Sequence, residues 1–277
     1  MKVSKTIKLF IGGQFPRSES GRTYEFKAQD FTARVCQASR KDFRNAVDAA
    51  KKGLSGWSGR TAFNRSQILY RMAEMLEGKK LEFTELFKQS FNLSESEAEK
   101  SVDKGIDAFV YFAGFCDKYQ QLSGSVNNIN GPYHNFTTPD HVGVVAYVDS
   151  DEFNFERLCA SLASIIAGGN SVVALLGTGC PAVLAPLAEV FATSDLPGGV
   201  INLLTGSVDE LHEHIGSHME VRSVNYQNEN LEALKAIKLM GATNMKRVIY
   251  KHREEPLCLE AILDHVEFKS VWHPIGI

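Results

Sequence analysis

The chain has no apolar run that could cross a membrane. Its longest, Ser161–Ala167 and Val200–Leu204, fall far short of the roughly 20 residues a bilayer requires. It begins MKVSKTIKLFIGG, without the apolar stretch and small-residue cleavage site of a signal peptide. Charge of one sign is also lacking. Thirty Lys and Arg stand against 33 Asp and Glu, a net charge of −3, which argues against nucleic-acid or anionic-membrane partners. The five cysteines (36, 116, 159, 180 and 258) are odd in number and scattered, with no metal-ligand spacing, so a reduced, cytoplasmic protein is expected. His212, His214 and His218 form no metal set. Only 214 and 218 share a helix face, and no carboxylate stands in a zinc-protease arrangement beside them. No metal site is expected. The glycine pairs Gly12-Gly13 and Gly168-Gly169 lack the G-x-G-x-x-G spacing and read as turn and cap. No short repeat or low-complexity linker divides the chain. At 277 residues, 44% apolar and 23% charged, it has an ordinary globular balance.

What is present is centred on residues 142–206. Val142–Val148 is apolar and rich in β-branched residues. Leu158, Leu162, Ile165 and Ile166 then recur at helical spacing, and Gly168-Gly169-Asn170 ends that helix. Val172–Leu176 is continuously apolar, as in a strand buried on both faces. A second helix is predicted over Ala182–Phe191, and Pro197-Gly198-Gly199 turns the chain into the strand Val200–Leu204. Strand–helix alternation of this length predicts a right-handed parallel α/β layer that binds ligands at the carboxyl ends of its strands.

Around this layer, Leu9–Ile11 reads as a strand, with turns at Gly12-Gly13 and Ser18–Gly21. Ser39 is the expected N-cap of a helix carrying Phe43, Val47, Ala50 and Leu54, with Gly56-Trp57 interrupting it. Asn64 is the expected cap of the next helix. Residues 81–122 are strongly helical, divided by the polar run Ser94–Glu97. Asn127–Pro139 reads as a turn-rich arm leading into a strand over His141–Val148. After Leu204 come a helix at Val208–His214, a strand at Glu220–Val224, a helix at Leu231–Met240 and a strand at Met245–Tyr250. A short helix, Cys258–Leu263, and a last strand, Val266–Trp272, complete the chain. The expectation is a single α/β unit over 1–277. It is a Rossmann-like parallel sheet of about five strands, with an N-terminal helical region, a β-arm and a C-terminal strand.

The ordered set of motifs resembles the aldehyde dehydrogenase superfamily. KLFIGG (8–13) is similar to its N-terminal strands. ASRKDFRNAVDAAKKGLSGWSGRTAFNRSQILYRMAEMLE (38–77) resembles its first two helices, including the Trp57 turn and Arg65. VGVVAYV, IIAGGNSVV, DLPGGVINLLTG and MKRVIY follow in the family's order, and LDHVEFKSVWHP (263–274) is similar to its C-terminal strand. The resemblance implies a nucleotide-binding scaffold whose catalytic domain, normally placed between the fifth strand and the C-terminal strand, is absent. It further implies that 127–141 and 266–274 are oligomerisation elements, which pair with other subunits in the family.

The chemistry implied by the resemblance can be followed residue by residue. The family's Pro-Trp-Asn-Phe-Pro loop corresponds to Glu152-Phe153-Asn154-Phe155-Glu156. Asn154 thus matches the oxyanion asparagine, and Asn is equally a favoured helix N-cap. The ribose-holding Lys-Pro-(Ala/Ser)-Glu corresponds to Leu175-Leu176-Gly177-Thr178. The phosphate turn Phe-Thr-Gly-Ser corresponds to Asn225-Tyr226-Gln227-Asn228, without its glycine. The Glu-Leu-Gly-Gly that supplies the base corresponds to Lys251-His252-Arg253. No cysteine stands in the nucleophile's context. Cys258 is nearest in order, but its apolar helical surroundings suit a structural thiol. No catalytic residue and no cofactor are expected. A catalytically inactive structural or regulatory subunit, partnered by a complete aldehyde dehydrogenase or by a second copy, is the first reading. The alternative is an oxidoreductase with a reduced NAD(P) site, with Asn154, Thr205 and Gly206 as its remaining cofactor-binding residues.

Overall fold

A computed structural model describes residues 6–28, 30–250 and 254–276. In chain order the strands and helices are β1 (Thr6–Ile7), β2 (Thr23–Lys27), β3 (Thr32–Cys36), α1 (Arg40–Ser58), α2 (Ala62–Gly78), α3 (Lys80–Phe91), α4 (Glu95–Phe115) and α5 (Tyr119–Ser123). They continue with β4 (Ser125–Asn127), β5 (Tyr133–His141), β6 (Val144–Val148), α6 (Phe155–Ala167), β7 (Ser171–Leu176), α7 (Leu184–Ala192), β8 (Ile201–Thr205) and α8 (Val208–Ser217). The last elements are β9 (Val221–Tyr226), α9 (Leu231–Gly241), β10 (Arg247–Ile249), α10 (Leu259–Leu263) and β11 (Val266–Pro274).

The predicted parallel layer is present. Five parallel strands lie in the order β10-β9-β6-β7-β8. The chain runs from β6 outward to β8, then returns to β9 and β10 on the other side, so the switch point lies between β6 and β9. Every residue of β6, β7 and β8 is buried. The period-2 alternation of a strand explains how one run serves two cores. Val145, Tyr147, Val172 and Ala174 face the side covered by α2, α4, α6 and α7, while Val144, Ala146, Val148, Val173 and Leu175 face α1, α8 and α9.

Several local expectations are corrected. Gly56-Trp57 does not interrupt α1, which runs on to Ser58. Trp57 is fully buried and its indole N–H donates to the Ile166 carbonyl at 2.9 Å, so the ring is a core anchor inside the helix. Ser39 caps α1 as expected, within a capping box closed by Asp42. Thr61, not Asn64, caps α2, its hydroxyl accepting from the Asn64 amide. Leu9–Ile11 is no strand of its own. Phe10 and Ile11 make only isolated bridges, and β1 lies earlier, at Thr6–Ile7. The entry region is not wholly helical either, because β1, β3 and β2 form a three-stranded sheet before α1. The fifth strand is shorter than Met245–Tyr250, since Met245 takes a left-handed backbone and ends the preceding turn.

The arm is more ordered than a turn-rich segment. Residues 125–127 and 133–141 are strands, and β11 pairs antiparallel with the whole of β5, from Val266↔His141 to Pro274↔Tyr133. The strand expected over His141–Val148 is broken. Gly143, at φ +127°, turns the chain from the arm sheet into the parallel sheet. Asn170 pins this elbow. Its Oδ1 accepts from the Val142 and Gly143 amides at 2.9 and 3.0 Å, and its Nδ2 donates to the Ile165 and His265 carbonyls at 3.0 and 2.9 Å.

Among the described residues, no helix is long and apolar enough to cross a membrane. None of the described cysteines is bridged, and Cys36, Cys116, Cys159 and Cys180 are buried.

Candidate functional site at the strand ends

The carboxyl ends of β6, β7 and β9 are where an open α/β sheet takes its ligand. Here three loops meet there: 149–154 after β6, 177–180 after β7 and 227–230 after β9. Each is tied to the loop beside it. Thr178 donates from both its amide (2.7 Å) and its hydroxyl (2.8 Å) to Asp151 Oδ1. Asn228 Nδ2 donates to the Asp149 carbonyl at 3.0 Å and to Asp151 Oδ2 at 3.2 Å. Ser150 donates its hydroxyl to Glu229 Oε1, and the Asp151 amide donates to Glu229 Oε2 at 3.2 Å.

The backbones are as close as the hydrogen bonds suggest. A Cβ on Gly177 would stand 1.9 Å from the Ser150 carbonyl oxygen, and one on Gly179 would stand 2.2 Å from that of Asp151. The glycine loop after β7 is therefore seated on the loop after β6. A cleft of about 40 Å³ remains nearby, lined in part by Arg157, Ser161, Ser164, Asn225, Gln227 and Asp264. That is room for a water or two.

The charge of this region is set by carboxylates. Asp149 is 3% exposed, and burial raises its pKa to about 6 although the Tyr147 hydroxyl (2.7 Å), Arg157 (3.9 Å) and the Ser150 amide (3.0 Å) favour its charged form. Glu229 goes the other way. Burial raises its pKa, but the bonds from Ser150 and the Asp151 amide bring it below the usual carboxylate value. The run Asp149-Ser150-Asp151-Glu152 at the end of an apolar strand is the sequence signal for this acidic, self-bonded cluster. Its partners Asn228 and Glu229 stand 77 to 79 residues away, and only the fold brings them in.

Asn154 lies at the head of α6. It is the N-cap, its Oδ1 accepting from the Arg157 amide at 2.9 Å, and it is exposed. Its neighbours are locked. Phe153 stacks on Phe91 at 3.7 Å, and Phe155 packs against Phe83 and Phe87 at 5.3 and 5.0 Å. Phe155 fits because α4 has a glycine under it. A Cβ on Gly105 would be 2.5 Å from the ring. Gly105→Ala should gain about 1 kcal/mol of helix propensity. Overpacking a closed aromatic cluster costs about 1–3 kcal/mol, so the net expectation is a loss. A urea titration showing Gly105→Ala to be more stable than the parent would contradict this packing.

Thr205 and Gly206 lie elsewhere. Thr205 is fully buried, its hydroxyl donates to the Cys36 carbonyl at 2.6 Å and its carbonyl accepts from the Ala38 amide, so it joins β8 to the segment before α1. Gly206 packs against Ala38. Neither is brought together with Asn154 by these contacts. Leu175, which the resemblance sets against the family's lysine, is 3% exposed and turned into the core on the α1, α8 and α9 side. Asn225 and Gln227 bond to each other at 2.7 Å, and Asn225 Nδ2 lies 3.2 Å from His265 Nε2. His265, 1% exposed and 3.3 Å from Ser223 Oγ, is a buried polar link between β9 and the root of β11 that periodicity does not signal. Lys251, His252 and Arg253 lie outside the described residues. Among the described residues no group of three or more His, Cys, Asp or Glu is placed to hold a metal ion. Of the three histidines singled out, His212 and His214 are on α8 and His218 is its C-cap.

Residues 17–251 match the sequence profile of the aldehyde dehydrogenase family. The cytosolic 10-formyltetrahydrofolate dehydrogenase of Xenopus tropicalis is 30% identical over 256 residues, covering 90% of this chain and 28% of that protein. The mitochondrial 10-formyltetrahydrofolate dehydrogenase of Homo sapiens is 27% identical over 254 residues, covering 89% of this chain and 27% of that protein. An aldehyde dehydrogenase from Bacillus cereus, solved as its NAD⁺ complex, superposes with a TM-score of 0.80 at 25% identity, covering 88% of this chain and 50% of that one. The chain thus spans under a third of these curated relatives and about half of the solved chain. On the extent of the profile match, it belongs to the aldehyde dehydrogenase family.

Proposed function

We propose that this chain is a non-catalytic member of the family, a structural or regulatory subunit that binds a complete aldehyde dehydrogenase or a second copy of itself. The observation that carries this reading is the filled switch-point crevice. Its strand-end loops bond to one another through Asp149, Ser150, Asp151, Thr178, Asn228 and Glu229.

An NAD(P) diphosphate does not fit these residues. Exposed carboxylates at Asp151 and Glu229 repel it, Leu175 offers no ribose contact, and the contact of Gly177 with Ser150 leaves no gap between the β6 and β7 loops. We therefore assign no cofactor and derive no hydride-transfer step. Asn154, as a helix cap, satisfies a backbone amide without a reacting carbonyl to polarise. In this reading the catalytic domain is absent, since residues 250–265 alone connect β10 to β11 and their described part forms the short α10.

The partner-binding element in this reading is the arm. β11 is a nine-residue strand at the edge of the β11-β5-β4 sheet, and Phe268 (53%), Val271 (39%) and Trp272 (59%) are exposed along it. An edge of this length is a template for a strand from another chain. The free thiols suit a cytoplasmic location.

Purification from the native host, with this chain and any complete aldehyde dehydrogenase tagged in turn, tests the proposal together with light scattering of the isolated chain. Recovery as a lone monomer in both would sink it. Titration calorimetry with NAD⁺ and NADP⁺ should show no binding tighter than about 1 mM (roughly −4 kcal/mol). Tighter binding would establish the alternative, an oxidoreductase with a reduced NAD(P) site.

A further inference from the structure

Away from the strand ends, α1 and α8 enclose a groove of about 590 Å³. Its walls carry an unusual density of cations for a chain whose net charge is −3. Arg22, Arg40, Lys41, Arg44, His214 and His218 line it, with Glu19 and Glu210. Both carboxylates are already neutralised. Glu19 pairs with Lys41 at 2.6 Å, and Glu210 pairs with Arg22 and accepts from Gln37 at 2.8 Å. Arg40 and Arg44 are different. Among the described residues neither side chain makes a hydrogen bond or ion pair, although nearby Lys51 is paired with Glu220 at 2.7 Å.

The two arginines are one helical turn apart on α1, about 6 Å along its axis. His214 and His218 are likewise one turn apart at the end of α8. All four side chains line the same groove, the arginines from α1 and the histidines from the end of α8. The floor is the buried Phe43 ring, against which His218 lies edge-on at 6.1 Å. The Glu220 amide donates to His218 Nδ1 at 3.3 Å, so the neutral ring carries its proton on Nε2 and keeps that donor free.

We propose that this groove binds a small molecule bearing two phosphate groups, a diphosphate or bisphosphate, anchored by Arg40 and Arg44 with His214 and His218 on the opposite wall. Guanidinium forks suit phosphate oxygens, and two arginines one helical turn apart favour two linked anionic groups over one. The field in the groove agrees. Partial burial and then Arg40 hold His214 below its ordinary pKa, with His212 adding and Glu213 opposing. Partial burial and then Lys246 do the same for His218, with Arg44 adding and Asp48 and Glu220 opposing. A bound polyanion would oppose both shifts and raise the two histidine pKa values.

The test is a pyrophosphate titration of the full chain, followed by histidine-ring NMR at constant ionic strength against chloride. Pyrophosphate should raise the His214 and His218 pKa values together by about one unit and leave His212 unmoved. It should bind at least about ten-fold more tightly than inorganic phosphate, and Arg40→Gln/Arg44→Gln should weaken binding by at least about ten-fold. Both arginines are exposed and unpaired, so an unchanged thermal midpoint would show that the double variant is folded. The proposal is overturned if His212 moves as much as His214 and His218, if phosphate and pyrophosphate bind equally, or if the double variant responds as the parent does.

Discussion

Asn170→Ala should be the most damaging single truncation of a polar side chain in this protein. Asn170 is fully buried, and its amide makes four hydrogen bonds, all to backbone groups from three parts of the fold. Val142 and Gly143 belong to the elbow between the arm and the parallel sheet, Ile165 to the end of α6, and His265 to the root of β11. Each such bond contributes about 1 kcal/mol net, and a buried partner left unsatisfied costs about 1–3 kcal/mol. A loss of roughly 4 kcal/mol is expected, a large share of the 5–15 kcal/mol typical of a domain. Urea unfolding followed by far-UV circular dichroism measures it, and a loss below about 1 kcal/mol would contradict the network. Asn170→Asp sharpens the test. It keeps the acceptor for Val142 and Gly143 but sets a carboxylate against two carbonyls. It should be the worse variant at neutral pH and recover in acid, where the protonated group can donate once more. Because Asn170 joins α6 to the root of β11, the arm should loosen with it, and any partner bound through β11 should be lost before the sheet unfolds.

Asp149→Asn should act in the opposite direction, as a stabilising substitution with a pH signature. Burial holds Asp149 at a pKa of about 6, above its ordinary 3.8. Below the ordinary value both folded and unfolded states are protonated, and the group carries no penalty. As pH rises from about 4 through 6 the unfolded chain ionises first, so the folded state loses stability until its own carboxyl has ionised. A shift of about two units corresponds to roughly 2–3 kcal/mol. The introduced carboxamide would still accept from the Tyr147 hydroxyl and the Ser150 amide through its Oδ1. The difference between variant and parent should therefore move in the variant's favour by about 2 kcal/mol between pH 4 and pH 7. Parallel stability curves for the two proteins from pH 4 to 8 would refute this. The prediction bears on function, because a working site commonly keeps such a destabilising group for its chemistry. Here the Asp149 carboxylate is held by the Tyr147 hydroxyl and the Ser150 amide, with Arg157 at 3.9 Å.

The features legible in the sequence share one physical cause: they are local. The strands at 144–148, 171–176 and 201–205 are predominantly apolar, and a run buried on both faces needs no partner to be recognised. Ser39 and Asn154 cap their helices because a short polar side chain at a helix start can reach only its own first turn. Trp57 misleads for the converse reason. A Gly-Trp pair reads locally as a break, yet the indole is buried through a hydrogen bond to Ile166, 109 residues away, and that contact outweighs the glycine's modest helix cost. The entry sheet of β1, β3 and β2 leaves little local trace because β1 has two residues and gains its strand character only by pairing with β3.

By itself the sequence determined the class of fold, the order of its strands along the chain and the family, and it carries other residues where the resemblance implies that family's polar motifs, since each is written in residue types at fixed spacing. The tertiary structure decided what replaced them. Whether the gap left by those motifs is open or closed depends on Gly177 meeting Ser150, Thr178 meeting Asp151 and Glu229 meeting Ser150, contacts between loops that the sheet order brings together from 27 to 79 residues apart. The same holds for the elbow at Gly143, which becomes a hinge point between two sheets only when Asn170 reaches it, and for the groove between α1 and α8. Its cations lie about 170 residues apart in sequence, and parallel-sheet topology, which packs both helices on one face, makes them neighbours.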